Sequence, residues 1–223
     1  MVNWRHSGRV RVLLPLTVLT ALLAGCGGGA SDAQSTLTED QLEQVLVTLD
    51  DLPEGFVESA GSTDGDGSAR ASLNDAECLA GLDLGDADEA ATAEVSFDRV
   101  GLLTITSTAT SYADDVATAF DETRDAIASC SEVEVSADNG SGFKGTLDSD
   151  DTAASDDVDA QINVRLTGTQ QPTGQPVEIT FGLARIGNDV VSVSAEGLGG
   201  PSGESFQELM RATTDRLADA HTG

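Results

Sequence analysis

Val177-Glu178-Ile179-Thr180-Phe181-Gly182-Leu183, then Gly187-Asn188, then Val191-Ser192-Val193-Ser194-Ala195 is the stretch on which the fold turns. Apolar and polar or small residues alternate on both sides of a Gly-Asn pair. Period two is the signature of a strand with one buried face, and Gly-Asn supplies the positive φ angles of a tight hairpin. Upstream, Ile162, Val164 and Leu166 alternate in the same way. Residues 93–99 and 102–110 predict a second hairpin, with Val95 and Phe97, and Leu103 and Ile105, alternating with polar neighbours and Gly101 between the strands. Ser131 to Ser136 and Phe143 to Leu147 read as two short strands, with Asn139-Gly140 between them.

Three segments change to the helical period. Thr38-Glu39-Asp40-Gln41 has the form of a capping box, and Leu42, Val45, Leu46 and Leu49 follow at helical spacing until Pro53 and Gly55 end the run. Ala113 to Ser129 places Val116, Phe120, Thr123 and Ile127 on one face, with Asp114 and Asp115 in the first turn. Glu204 to Ala220 places Phe206, Leu209, Met210, Thr213 and Leu217 inward. Helix, two strands, helix, several strands, helix, with strands joined mostly by hairpins, predicts an α+β domain: a mainly antiparallel sheet with helices packed on one face.

The N-terminus reads differently. Arg5, Arg9 and Arg11 precede an apolar run from Val12 to Ala24, and Leu23-Ala24-Gly25-Cys26 closes it. The run is too short for the roughly 20 residues that span a bilayer. The pattern is that of a bacterial lipoprotein signal, with small residues before a cysteine that takes the lipid. This assigns 1–25 to a signal peptide, 26–36 to a lipidated Cys26 with a flexible Gly/Ser/Ala tether, and 37–221 to a single extracellular domain. The protein is then held on the outer face of the cytoplasmic membrane by its lipid.

Cleavage before Cys26 removes 25 of the 223 residues and leaves 198. The three signal arginines leave and no acidic residue does, so 8 basic residues face 39 acidic ones, a net charge of −31. A chain this acidic has no basic stripe with which to displace phosphate counterions, which excludes general nucleic-acid binding. Cys78 and Cys130 are the thiols that remain, and an even pair in an exported chain reads as a disulfide.

Reactive constellations are scarce. The mature chain has one histidine, His221, three residues from the end, where fraying is expected, and one lysine, Lys144, in a loop-rich region. Nucleophile-elbow, zinc, dinucleotide and phosphate-loop signatures are absent, so no catalytic residue, cofactor or metal is assigned. Asp64-Gly65-Asp66-Gly67 and Asp148-Ser149-Asp150-Asp151 are fragments of oxygen-ligand loops without the twelve-residue calcium spacing.

These features together resemble a family. Leu37-Thr38 leads through Gln41-Leu42 to an Asp51-Leu52-Pro53-Glu54-Gly55-Phe56 turn. Glu77-Cys78-Leu79 follows, then a hairpin, a helix with Ala119-Phe120 ending in a cysteine, a strand pair and an amphipathic C-terminal helix. The pattern resembles actinobacterial cell-surface lipoproteins whose domain is similar to the extracellular sensor domain of the mycobacterial receptor kinase PknH. The resemblance implies a central antiparallel sheet, flanking helices and a ligand-binding cleft. Many members have two disulfides, whereas this chain can form one. No catalytic residue comes with the family. The expectation is a noncatalytic, sensor-like domain binding a small ligand or an envelope component. An accessory subunit docked on a membrane protein and a carboxylate-based envelope hydrolase are the alternatives. Binding is expected in a groove between the sheet and its helices. The strand faces Val177 to Leu183 and Val191 to Ala195 are apolar enough to line a pocket, but core alone explains them better, because a single sheet must bury one face anyway.

Overall fold

The computed structural model describes residues 36–59, 79, 82, 84, 87–99, 103–136, 142–197, 200–201 and 203–222. The signal segment, Cys26 with its tether, the Asp64–Gly67 fragment, Cys78, Gly101 and Asn139-Gly140 lie outside the described residues.

Helix α1 spans Glu39–Glu43. The strands are β1 Val57–Glu58, β2 Glu89–Arg99, β3 Leu103–Tyr112, β4 Glu132–Ser136, β5 Gly142–Asp150, β6 Ala160–Gln171, β7 Gln175–Ile186 and β8 Asp189–Gly197. Helix α2, Ala117–Ala128, follows β3, and α3, Glu204–Thr222, closes the chain. The eight strands form one antiparallel sheet in the order β1-β2-β3-β8-β7-β6-β5-β4. After β3 the chain crosses through α2 to the far edge, then returns strand by strand until β8 pairs with β3. The Gly187-Asn188 turn does what its residues predict: Gly187 has φ +60°, and Ile186 pairs with Asp189 across it.

The helices are not on one face. In β7, Ile179, Phe181 and Leu183 belong to a core with Phe120 and Ile127 of α2 and the buried Leu79, Leu82 and Leu84. The intervening Ala184 belongs to a second core with Phe206, Leu209, Met210 and Leu217 of α3 and with Leu42, Val45 and Leu46. Successive strand residues point to opposite faces. So α2 covers one face of the β7–β4 half, while α1 and α3 cover the other face of the β2–β3–β8 half. The central strands β7 and β8 are buried on both faces and carry an almost unbroken buried run, as strands covered on both sides do.

Gly182 sets how closely α3 approaches. A Cβ there would lie 2.6 Å from Met210 Sδ, so any side chain at this position must displace the fully buried Met210 thioether. The buried Thr213 and Thr214 of α3 each return a hydroxyl to the Met210 carbonyl at 2.9 Å, which satisfies both inside the core.

The first predicted helix is shorter than its periodicity. The Thr38 capping box forms, its backbone N–H donating to Gln41 Oε1 at 3.0 Å. The helix stops at Glu43, however, and Val45, Leu46 and Val47 run on as irregular, buried chain. The chain on both sides of the helix is tied to the sheet: Leu37 N–H donates to Ser111 Oγ at 3.0 Å, and Val47 N–H, where the predicted helix would have continued, to Ser107 Oγ at 3.2 Å. Both serines are buried on β3, and they satisfy backbone that no strand pairs. Helix α2 also starts later than its charges suggest. Asp114 and Asp115 precede it, and Asp115 Oδ1 accepts the Ala117 N–H at 2.9 Å.

Candidate functional site

The described part of the chain holds a buried ionisable pair and two surface hollows. His221 does not sit on a frayed tail, as its position near the end suggests. It belongs to the last turn of α3, and its Nε2 lies 3.0 Å from Asp189 Oδ2. Asp189 is 1% exposed at the start of β8 and faces Ser111 in the β3–β8 register. Burial pushes the Asp189 carboxyl above its ordinary value, and the hydrogen bond with Ser111 and the nearby His221 offset only part of that.

Serine, aspartate and histidine meet here in the wrong order for nucleophilic catalysis. An activated serine must hydrogen-bond to the imidazole, with the carboxylate behind it. Here the carboxylate lies between the other two, and the fully buried Ser111 accepts the Leu37 N–H. The arrangement clamps chain ends.

Lys144 is on β5 rather than in a loop, and its Nζ contacts Glu134 Oε2 at 2.7 Å across the β4–β5 pair. The Asp148–Asp151 stretch is likewise committed to structure: Asp150 Oδ1 accepts Asn163 Nδ2 at 3.0 Å and the Thr152 N–H at 3.0 Å. Among the described residues, no group of three or more His, Cys, Asp or Glu could hold a metal.

The apolar strand faces weighed as core or pocket lining form solid core. Ile179, Phe181, Leu183, Val191, Val193 and Ala195 are all buried. A groove of about 420 Å³ lies one layer away. The turn at Leu52, Pro53 and Phe56 forms one wall. Arg99, Leu103 and Ile105, from the ends of the β2–β3 hairpin, form the floor. Ser205, Glu208 and Leu209 of α3, with Gly200 and Pro201, form the other wall. Gly200 fits closely there, since a Cβ would come within 2.9 Å of Leu103 Cδ1.

Arg99 sits over the Phe56 ring, 6.0 Å from its centroid. Arg216 of α3 reaches back to the same turn. Its Nη2 donates to Asp51 Oδ1 at 2.7 Å and Oδ2 at 2.8 Å, and its Nη1 to the Leu46 carbonyl at 2.8 Å. Burial raises the Asp51 carboxyl, but the bonds from Arg216 and Thr48, with the guanidinium charge, outweigh it and hold the carboxyl below its usual value.

A second hollow of about 490 Å³ lies beside it, between the 46–50 segment and β2. Glu43, Asp50, Glu58 and Glu94 ring it, and Leu46, Val95 and Phe97 form its base.

The sequence did not single out the groove. Phe56 and Ile105 read as core, and Arg99 as a strand end. The available signal was the Asp51–Phe56 turn, which brings an aromatic beside a hairpin that ends in arginine.

Cys130 follows α2 and packs, partly buried, against the core that contains Leu79. Cys78, its expected partner, lies outside the described residues.

No protein-family model and no curated protein matches the sequence. Solved structures do. A Rv0999 ortholog from Mycobacterium smegmatis superposes with a TM-score of 0.41 at 14% identity, covering 82% of this chain and 85% of that one. The extracellular domain of PknH from Mycobacterium tuberculosis superposes with a TM-score of 0.56, also at 14% identity, covering 82% of this chain and 98% of that one. In fold, this chain is therefore similar to the PknH extracellular domain over nearly the whole of that domain's length.

Proposed function

We propose that the protein is a noncatalytic, lipid-anchored extracellular domain that binds a small ligand or envelope component between α3, the β2–β3 hairpin and the Leu52–Phe56 turn. The observation that carries this reading is the groove. Its volume of about 420 Å³ falls within the roughly 300–1,000 Å³ typical of small-molecule sites, and its floor is apolar with few polar groups, as in such sites. The reversed Ser111–Asp189–His221 order supports binding over turnover. The extracellular placement of the PknH domain supports the same placement here.

Lipidation of Cys26 rests on the Leu23-Ala24-Gly25-Cys26 signal and places the protein on the outer face of the cytoplasmic membrane. Pairing of Cys78 with Cys130 belongs to this reading. It is supported by Leu79, which follows Cys78 and is fully buried in the core that Cys130 packs against.

The test uses the mature chain carrying Cys26→Ser, titrated with envelope fractions while unfolding is followed. A ligand at 100 times its dissociation constant adds about 2.7 kcal/mol of stability. Ser205→Trp fills the groove and should abolish that gain. A gain that survives Ser205→Trp puts the site elsewhere. No gain from any fraction favours the accessory-subunit alternative.

A further inference from the structure

Seven described residues carry a permanent positive charge, and six are already committed. Arg124, Lys144, Arg165, Arg185 and Arg216 each contact a carboxylate at 3.2 Å or less. Arg211 donates to the Ala154 carbonyl at 2.9 Å. Arg99 alone among them has neither an ion pair nor a hydrogen bond, although the molecule has a large excess of carboxylates. Its guanidinium rests on the Phe56 ring at the groove. Of the two carboxylates that line the groove, Asp51 is held by both oxygens on Arg216. Arg99 thus keeps all five guanidinium N–H donors free of any partner among the described residues.

We infer that the groove takes an amphiphile with one anionic head, a carboxylate or a phosphate monoanion, whose apolar body lies along Phe56, Leu103, Ile105 and Leu209. The inference rests on the groove being the binding site. Charge complementarity assigns the head to Arg99, whose planar fork matches two oxygens of a carboxylate or phosphate. The floor assigns the tail. Glu208 on α3 faces the same groove and opposes a second negative charge, which restricts the head to a single one. The acidity of the rest of the surface repels anions generally, so an anion bound here needs both parts: the tail supplies burial, and Arg99 supplies the local attraction.

The probes are dodecanoate, dodecyl phosphate, dodecanol, dodecyltrimethylammonium and acetate, each below its micelle concentration. They are titrated calorimetrically into the mature Cys26→Ser chain. The two anionic amphiphiles should bind with one site per chain. Dodecanol should bind at least about tenfold more weakly, as expected for loss of one charge-assisted contact. The cationic amphiphile and acetate should not bind. Arg99→Gln should bring dodecanoate down to the dodecanol level while lowering the melting temperature of the free protein by no more than the loss of one exposed cation–π contact, and Arg99→Lys should recover part of the loss in binding. Ser205→Trp should abolish binding of every probe.

Equal binding of dodecanoate and dodecanol overturns the anionic head while leaving the groove as the site. If no probe binds but an envelope fraction still stabilises the protein in a Ser205→Trp-sensitive way, the ligand class is wrong. If the fraction's effect is also insensitive to Ser205→Trp, the groove reading itself falls.

Discussion

His221 Nε2 lies 3.0 Å from the carboxylate of Asp189, across the 32 residues that separate the end of α3 from the start of β8. The Asp189 carboxyl is raised by burial. Its contribution to stability is therefore fully present below about pH 3.8, the unperturbed value, and is lost as pH rises through the higher folded value. Asp189→Asn keeps the shape and removes the buried charge. Its stability relative to the parent should rise with pH across that window, as measured by urea unfolding at a series of pH values. His221→Ala leaves the carboxylate without its counter-group and should cost on the order of 1–3 kcal/mol at neutral pH. An unchanged midpoint for His221→Ala would remove the clamp from the account.

Arg216 should be irreplaceable by lysine. An ammonium cannot donate to both Asp51 oxygens and to the Leu46 carbonyl with the same geometry. Arg216→Lys should cost on the order of 1–2 kcal/mol by urea unfolding. Asp51 has a lowered carboxyl value, so its contribution is present above about pH 3.8 and is lost as pH falls through the lower folded value. In Arg216→Lys the acid limb of the stability curve should move to higher pH.

Gly182→Ala should be destabilising through overpacking, by about 1–3 kcal/mol, because the new methyl meets Met210. Met210→Ala in the same chain should recover part of that loss, since the sulfur and terminal methyl are the atoms in the way. Urea midpoints of the two singles and the double measure the coupling. Strict additivity would refute direct contact.

Cys26→Ser should shift the protein from the membrane fraction to the soluble or unprocessed pool. Mass spectrometry of the parent should place the mature N-terminus at a lipid-modified Cys26. A mature N-terminus at any other residue refutes the anchor.

Alkylation of the native mature chain without reductant should label neither Cys78 nor Cys130. A bridge between them closes a loop of about 50 residues, and reduction should cost on the order of 4 kcal/mol in the chain-entropy model. Full labelling of both would remove the bridge.

Local chemistry made much of this fold readable. The Gly187-Asn188 hairpin, the Thr38 capping box and the inward stripe of α3 depend on residues a few positions apart, and each forms where its pattern puts it. The two-sided core was not read, because alternation shows which residues share a face but not which face a neighbouring element covers. A signal did exist: Phe181-Gly182-Leu183-Ala184 and Val190-Val191 have no polar member facing solvent. The groove and the His221 contact depend on partners far apart in sequence, such as Phe56 with Arg99 and Asp189 with His221, and no spacing rule records such pairs. The first helix misled because Leu42, Val45 and Leu46 also satisfy helical spacing when irregular chain lies flat on a sheet.

The chain enters the domain at Leu37, beside Ser111 at one end of β3, while the groove opens beside Leu103 at the other. Eight residue steps of strand separate them, roughly 26 Å at about 3.3 Å per residue. The helix that walls the groove also ends near Leu37, at His221, with its Ser205 end at the groove. Whatever is attached ahead of Leu37 therefore joins the domain at the end of the sheet opposite the mouth of the groove.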